Sequence, residues 1–211
     1  MRNPLIITIG REYGSGGRQI GDLVAKTLGI AYYDKKLIPR AAQKSGLSDE
    51  FIANNEQRVR NGFMQNLAAS AAYSSGFFSS QYLPLSESIF ISEAQVIRDI
   101  AAKESAVIVG RCADYVLREL AGVTNVFIYA EHADRIKRAV EVYGDNADEA
   151  KNIVAMYDKA RQNYYNYHTG QKWGDFKNYN LAINSSYITE EEAANLIVDY
   201  VQHRRYQDEQ R

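Results

Sequence analysis

Five short apolar runs punctuate the chain: Leu-Ile-Ile-Thr-Ile at 5–9, Ile-Ala-Tyr-Tyr at 30–33, Ala-Val-Ile-Val-Gly at 106–110, Asn-Val-Phe-Ile-Tyr-Ala at 125–130 and Leu-Ala-Ile-Asn-Ser at 181–185. Runs this short and this continuous read as buried strands. Between them lie segments with apolar residues at helical spacing, at 19–28, 112–120, 134–143 and 190–201. Strands alternating with helices predict crossover units, and hence a parallel sheet with helices on both faces. The last helix has a marked start. Thr189 and Glu192 form a capping box, and Glu190 and Glu191 suit the positive end of the helix dipole.

The alternation breaks twice. Residues 41–104 hold no strand-like run; 48–72 reads as helix after Ser48, 74–86 as a loop and 87–103 as helix again. Residues 132–166 form a second helical stretch that ends in an aromatic run, Tyr164, Tyr165, Tyr167 and then Trp173. The pattern predicts an α/β core with an all-helical insertion.

Length and charge then limit the function classes. The 211 residues fit a single domain that can bury a real core. With 25 basic and 26 acidic side chains the net charge is -1, which advertises no nucleic-acid or membrane partner, so any anion site must be a local cluster. The single cysteine, Cys112, excludes an intramolecular disulfide and a Cys-rich metal site; His132, His168 and His203 are too scattered to bind a metal together. No apolar run approaches the roughly 18 residues of a membrane span, and the expectation is a cytoplasmic protein.

The densest chemistry lies where the first strand meets the first helix, in Arg-Glu-Tyr-Gly-Ser-Gly-Gly-Arg at 11–18. Gly14, Gly16 and Gly17 free the backbone for positive φ, so the N–H groups around Ser15 can converge on a phosphate while the helix adds its positive end. A tight turn without ligand is the plainer reading. A standard loop, G-x-x-x-x-G-K-[ST], carries a Lys for the outer phosphates and a hydroxyl for Mg²⁺. Here Gly17 stands at the lysine, Arg18 at the hydroxyl residue and Arg11 at the first glycine. Arg11 and Arg18 can grip phosphate oxygens, but with a different reach from Lys.

Further along, Asp34 and Arg40 follow the second run in Asp-Lys-Lys-Leu-Ile-Pro-Arg, and Arg111 follows the third, at the strand end where ligands of parallel sheets bind. Asp158, Arg161 and Tyr165 stand at i, i+3 and i+7, on one helix face. For Arg135 and Arg138 a solvated helix face is as good a reading as function. The tyrosine run fits packing better than base stacking, and Cys112 fits a buried packing role.

With the segments Val-Ile-Val-Gly-Arg-Cys-Ala-Asp-Tyr-Val-Leu, Asp-Lys-Ala-Arg-Gln-Asn-Tyr-Tyr and Tyr-Asn-Leu-Ala-Ile-Asn-Ser-Ser in the same order, the chain resembles the cytidylate kinases, and more closely the cytidylate kinase-like family. The resemblance covers nearly the whole chain and is weakest across 45–95. It implies a three-layer P-loop NTPase fold: a five-stranded parallel sheet, a helical acceptor-binding insertion at about 41–104 and a helical lid at about 132–180. By this resemblance Asp34, Arg40, Arg111 and Asp114 bind a phosphorylated acceptor. Gly14, Ser15, Gly16, Gly17 and Arg18 hold ATP together with the lid residues Arg135 and Arg138. Arg11, Arg18, Arg161 and Asp158 serve catalysis, with Asp158 positioning Arg161. Asn180 departs from the family by replacing an acid.

The implied activity is ATP-dependent phosphoryl transfer to a nucleoside monophosphate or similar small acceptor. Mg²⁺ would be held mainly through the nucleotide, with Ser15 and acidic groups near the strand ends as minor candidate ligands. The alternatives are a nucleotide-binding regulatory protein that has lost catalysis and a kinase for a non-nucleotide metabolite. The apolar segment Phe-Phe-Ser-Ser-Gln-Tyr-Leu-Pro-Leu at 77–85 could equally join two copies as a homodimer.

Overall fold

The computed structural model describes residues 4–34 and 83–209. Five strands, β1 (Ile6–Arg11), β2 (Ala31–Tyr33), β3 (Ala106–Val109), β4 (Thr124–Tyr129) and β5 (Leu181–Asn184), form one sheet in the order β2-β3-β1-β4-β5. Every neighbouring pair is parallel, with Ile9 registered between Val109 and Val126 at the centre. Each apolar run named above has become a strand, with boundaries moved by two residues at most.

The helices are α1 (Gly17–Leu28), α2 (Leu83–Lys103), α3 (Ala113–Val116), α4 (His132–Glu141), α5 (Ala150–Thr169) and α6 (Glu190–Glu209). Side-chain alternation along β1 explains the layers. Ile7 and Ile9 point to one face, where Ile20, Val24 and Ala25 of α1 meet Ala194, Ile197 and Val201 of α6. Ile6 points to the other, where Val96, Ile97 and Ile100 of α2 meet Ala113 and Val116 of α3. Two apolar faces on one sheet require two helical layers, and the fold supplies both. The capping box forms as read: Thr189 N–H donates to Glu192 Oε2 at 2.8 Å, and Glu192 N–H to Thr189 Oγ1 at 3.1 Å.

Three expectations need correction. The helix read at 112–120 is one turn, because Arg111 and Cys112 hold φ of 59 and 54, and after Val116 the chain continues in tight turns such as Leu120 N–H to Leu117 O. Its apolar spacing is real, but that face of the sheet is already covered by α2. Residues 83–86, read as loop, belong to α2, and the stretch 132–166 is two helices separated by 142–149. The helix read at 48–72 lies outside the described residues, as does Arg40. Among the described residues, no helix is long and apolar enough to cross a membrane.

The direction of travel changes at β1. From there α1 carries the chain toward β2, whereas later connections carry it the opposite way to β4 and β5. In open parallel sheets such a reversal leaves a crevice beyond the carboxyl ends of the strands. The loop 12–16 sits in that position.

Candidate phosphate-binding site

The loop backbone has the form its glycines permit. Gly14 and Gly16 hold φ of 79 and 75, and Gly16 is the N-cap of α1. No side chain caps that helix and no acid stands in its first turn, so its N-terminal field is open to an anion. Ser15 is fully buried; its hydroxyl donates to Glu12 O at 2.9 Å, and its carbonyl accepts from Ser185 Oγ at 2.7 Å. Ser15 thus braces the loop from within and joins it to the end of β5.

Arg11, the last residue of β1, takes an unusual course. A Cβ on Gly17 would lie 2.6 Å from Arg11 Cβ, and one on Gly110 would lie 2.0 Å from Arg11 Nη1. Its side chain therefore runs past two glycines, from the start of α1 to the end of β3. Arg11 Nε is buried with no hydrogen-bond partner, and among the described residues no carboxylate pairs with this guanidinium. Burial, then the charges of Arg161, Arg111 and Arg18, push its pKa down to about 9. Of those four arginines, Arg18, Arg111 and Arg161 each meet an acid, and Arg11 meets none among the described residues.

Arg161 on α5 reaches the same place, its Nη1 donating to Arg11 O at 3.2 Å. It lies 3.6 Å from Asp158 Oδ1 and over the ring of Tyr13, with Arg161 Cζ 5.5 Å from the ring centre. Burial lowers the Arg161 pKa, and Asp158 opposes that effect. Asp158 does more than face Arg161. Its Oδ1 accepts the Tyr13 N–H of the loop at 2.7 Å and its Oδ2 pairs with Arg135 Nη1.

Arg135 is therefore not a solvated surface charge. It is buried, its Nε 3.3 Å from Glu12 Oε2, and its own backbone packs so closely on the loop that a Cβ on Gly14 would meet Arg135 O at 2.4 Å. The Tyr13 ring stacks on Tyr157 of α5 at 4.2 Å, and its hydroxyl donates to Asp145 at 2.9 Å. Arg138, one turn on from Arg135, pairs with Glu190 at the start of α6, both lying against Gly16. The α4–α5 hairpin is fastened to the loop at Glu12, Tyr13, Gly14 and Gly16.

On the opposite side of the loop, Arg18 Nη2 donates to Asp34 Oδ2 at 2.6 Å. Asp34 is buried, so this pair joins α1 to the end of β2. Arg111 pairs with Glu93 of α2 at 3.2 Å and lies 5.8 Å from the centre of the Tyr164 ring. Burial alone would depress the Arg111 pKa; Glu93 and Tyr164 outweigh it and raise it. The consecutive positive φ values at Gly110, Arg111 and Cys112 make the turn that aims Arg111 across the strand ends. Asp114, by contrast, is turned to Tyr165, whose hydroxyl donates to it at 2.7 Å, and burial raises its pKa.

The structure thus brings Arg11, Arg18, Arg111 and Arg161 around the end of β1, and places Arg135, Arg138 and Asp158 in the fastening of the hairpin. Sequence reasoning missed the acids that accompany them. Glu12 is adjacent to Arg11, and Glu190 was read only as a dipole partner; Glu93, mid-helix in α2, carries no sequence signal. Among the described residues, no group of three His, Cys, Asp or Glu could hold a metal ion.

The aromatic run packs. Trp173 meets Phe127 edge-on at 5.5 Å, and Phe127 meets Tyr179 at 4.9 Å. In Lys-Trp-Gly-Asp at 172–175, Trp173 N–H donates to Asn166 Oδ1 at 2.8 Å and Asp175 caps the 3₁₀ turn Phe176–Asn178, which returns the chain from α5 to β5. Asn180 Oδ1 accepts the Asn125 N–H at 2.7 Å, a task the acid it replaces could also perform.

The sequence profile of the cytidylate kinase-like family matches residues 6–187. The chain belongs to this family. A comparison with curated proteins finds no match. Among solved structures, an uncharacterized protein from Eubacterium ventriosum is 26% identical, with 94% of this chain and 98% of that chain covered at a TM-score of 0.70. A shikimate kinase from Acinetobacter baumannii, in complex with shikimate, is 14% identical at a TM-score of 0.51, with 96% and 94% covered. A gluconokinase from Sinorhizobium meliloti is 13% identical at 0.52, with 99% of each chain covered. The last two likenesses are of fold, and with the family they identify a P-loop kinase fold.

Proposed function

We propose that this member of the cytidylate kinase-like family is an ATP-dependent phosphotransferase whose acceptor is a small phosphorylated molecule, with nucleoside monophosphates the first class to test. The observation that carries the reading is the convergence of Arg11, Arg18, Arg111 and Arg161 from four separate segments at one glycine-rich loop. Phosphoryl transfer needs little covalent help from a protein. It needs two anions held in line and charge supplied where the transferred group spreads its own.

The residues present suit ATP in two respects: the uncapped N-terminus of α1 with its positive-φ glycines, and the buried Arg11 Nε that lacks an acceptor. ATP would bring the phosphoryl group and its Mg²⁺. The loop N–H groups would hold the phosphates while Arg11 and Arg161 neutralise the developing charge. Arg111 and Arg18, each steadied by an acid, would face the acceptor. Asp34 and Asp114 would act there by orienting Arg18 and Tyr165.

The test is ADP formation by the purified chain with ATP, Mg²⁺ and a panel of nucleoside monophosphates and other phosphorylated metabolites. Turnover with at least one acceptor is expected; ATP binding with none would sink the reading. That second outcome fits a nucleotide-binding protein without catalysis, the alternative favoured by a loop lacking its lysine and by Arg138 being held by Glu190.

A further inference from the structure

In a standard P-loop the first glycine and the lysine are six positions apart, and here those two positions carry Arg11 and Gly17. They are also in contact, since any side chain on Gly17 would place its Cβ 2.6 Å from Arg11 Cβ. One position can carry a long side chain only where the other is glycine. We propose that this loop is a reciprocal exchange, in which the long cation has moved from the helix to the end of β1 and the glycine has moved the other way. Arg11 is then the residue that touches the transferred phosphoryl group.

Three observations bear on the direction and use of that side chain. It is built a passage: Gly17 at its stem and Gly110 at its tip are both positions where a Cβ would collide with it. The tip lies at the end of β3, next to β1 in the sheet, so the guanidinium spans the two strand ends that flank the loop. The charge is left unanswered, because Arg18 has Asp34, Arg111 has Glu93 and Arg161 has Asp158, whereas Arg11 has no acid among the described residues. A part-buried cation with a buried Nε, set beside three others, costs stability until an anion arrives, which is the property a phosphate site requires and a structural strut avoids. Arg18, which stands one place beyond the lysine position, is committed to Asp34 at 2.6 Å.

The inference rests on the phosphotransferase reading for the transfer step; its binding half does not. The probe is inorganic tripolyphosphate, followed by calorimetry and thermal melting, alongside ADP formation. Arg11→Met should weaken tripolyphosphate binding by about 10- to 100-fold, the scale of a lost charge-assisted contact. Unliganded, this variant should melt no lower than the wild type, because a part-buried charge with no acid among the described residues has been removed. Gly17→Lys alone should melt lower, and Arg11→Gly with Gly17→Lys should regain at least about tenfold of the affinity and turnover that Arg11→Gly loses.

Undiminished tripolyphosphate binding by Arg11→Met would overturn the inference, as would its failure to fold or a much lower melting point, which would make Arg11 a strut. A double variant no better than Arg11→Gly would refute the exchange. Arg11-dependent tripolyphosphate binding without ADP from any acceptor would remove the phosphotransferase reading and leave the exchange standing. ADP formed at the wild-type rate by Arg11→Met would do the reverse.

Discussion

Removing the Asp158 carboxylate should unfasten the hairpin from the loop, and the cost follows from its partners. The Arg135 and Asp158 side chains are 10% and 15% exposed, so their ion pair is largely out of water. Removing one partner of a buried pair costs about 3–5 kcal/mol, since the other charge stays behind. Glu12, 3.3 Å from Arg135 Nε, retains part of that charge's compensation, which argues for the lower end. The Tyr13 N–H also loses its acceptor. Asp158→Ala is therefore expected to lose about 3 kcal/mol, which in a chain of this size lowers the melting temperature by roughly 6–12 °C. Asp158→Asn keeps an acceptor for Tyr13 and should lose about half as much. Arg135→Met removes the stranded charge, so the double variant Asp158→Ala with Arg135→Met should lose less than the sum of the single losses, by at least about 1 kcal/mol. Thermal melting and urea unfolding by circular dichroism measure the four variants and the wild type. An Asp158→Ala variant melting within about 2 °C of the wild type, or strictly additive losses, would refute the assignment of Asp158 as the fastening.

Two further outcomes test the loop and the strand-end turn. Gly14→Ala places a Cβ 2.4 Å from the Arg135 carbonyl oxygen, whereas Gly144→Ala, at a similar φ of 78, meets nothing within 4 Å. Urea unfolding should show about 1 kcal/mol lost at Gly144, the cost of positive φ alone, and roughly 3 kcal/mol or more at Gly14; equal losses would mean that the hairpin does not press on the loop. Burial raises the folded-state pKa of Asp114 above its ordinary 3.8, against the opposing hydrogen bond from Tyr165. Its contribution to stability is therefore full below the unfolded value and is lost as pH rises through the folded value. Asp114→Asn should make the slope of unfolding free energy against pH more positive there, by up to about 1.36 kcal/mol per pH unit, and unchanged slopes would refute the burial argument.

The sheet was legible because strands buried on both faces leave short, nearly continuous apolar runs, interrupted only by residues such as Thr8 and Asn125, which bond each other. Helix boundaries were legible where chemistry marks them, as with Thr189 and Glu192. The segment 112–120 misled because helical spacing records which residues face the core, and consecutive turns satisfy that requirement as well as a helix does. In Leu117 and Val123 the core is filled by a chain that has already left the helix.

The arginines divide along a line that periodicity does not carry. Arg135 and Arg138 lie on one face of α4, where periodicity reads a solvated helix face as readily as function. What separates them is the acid each one meets: Glu12 and Asp158 from two other elements close on Arg135, and Glu190 from α6 closes on Arg138. Those pairings arise only when distant segments are brought together, so a site of this kind is read from sequence as a set of cations and from structure as a set of cations minus their partners. The remainder here is Arg11. It stands where a standard loop has its first glycine and meets no acid among the described residues, and the contact between positions 11 and 17 supplies the physical reason that both departures from the motif occur in the same loop.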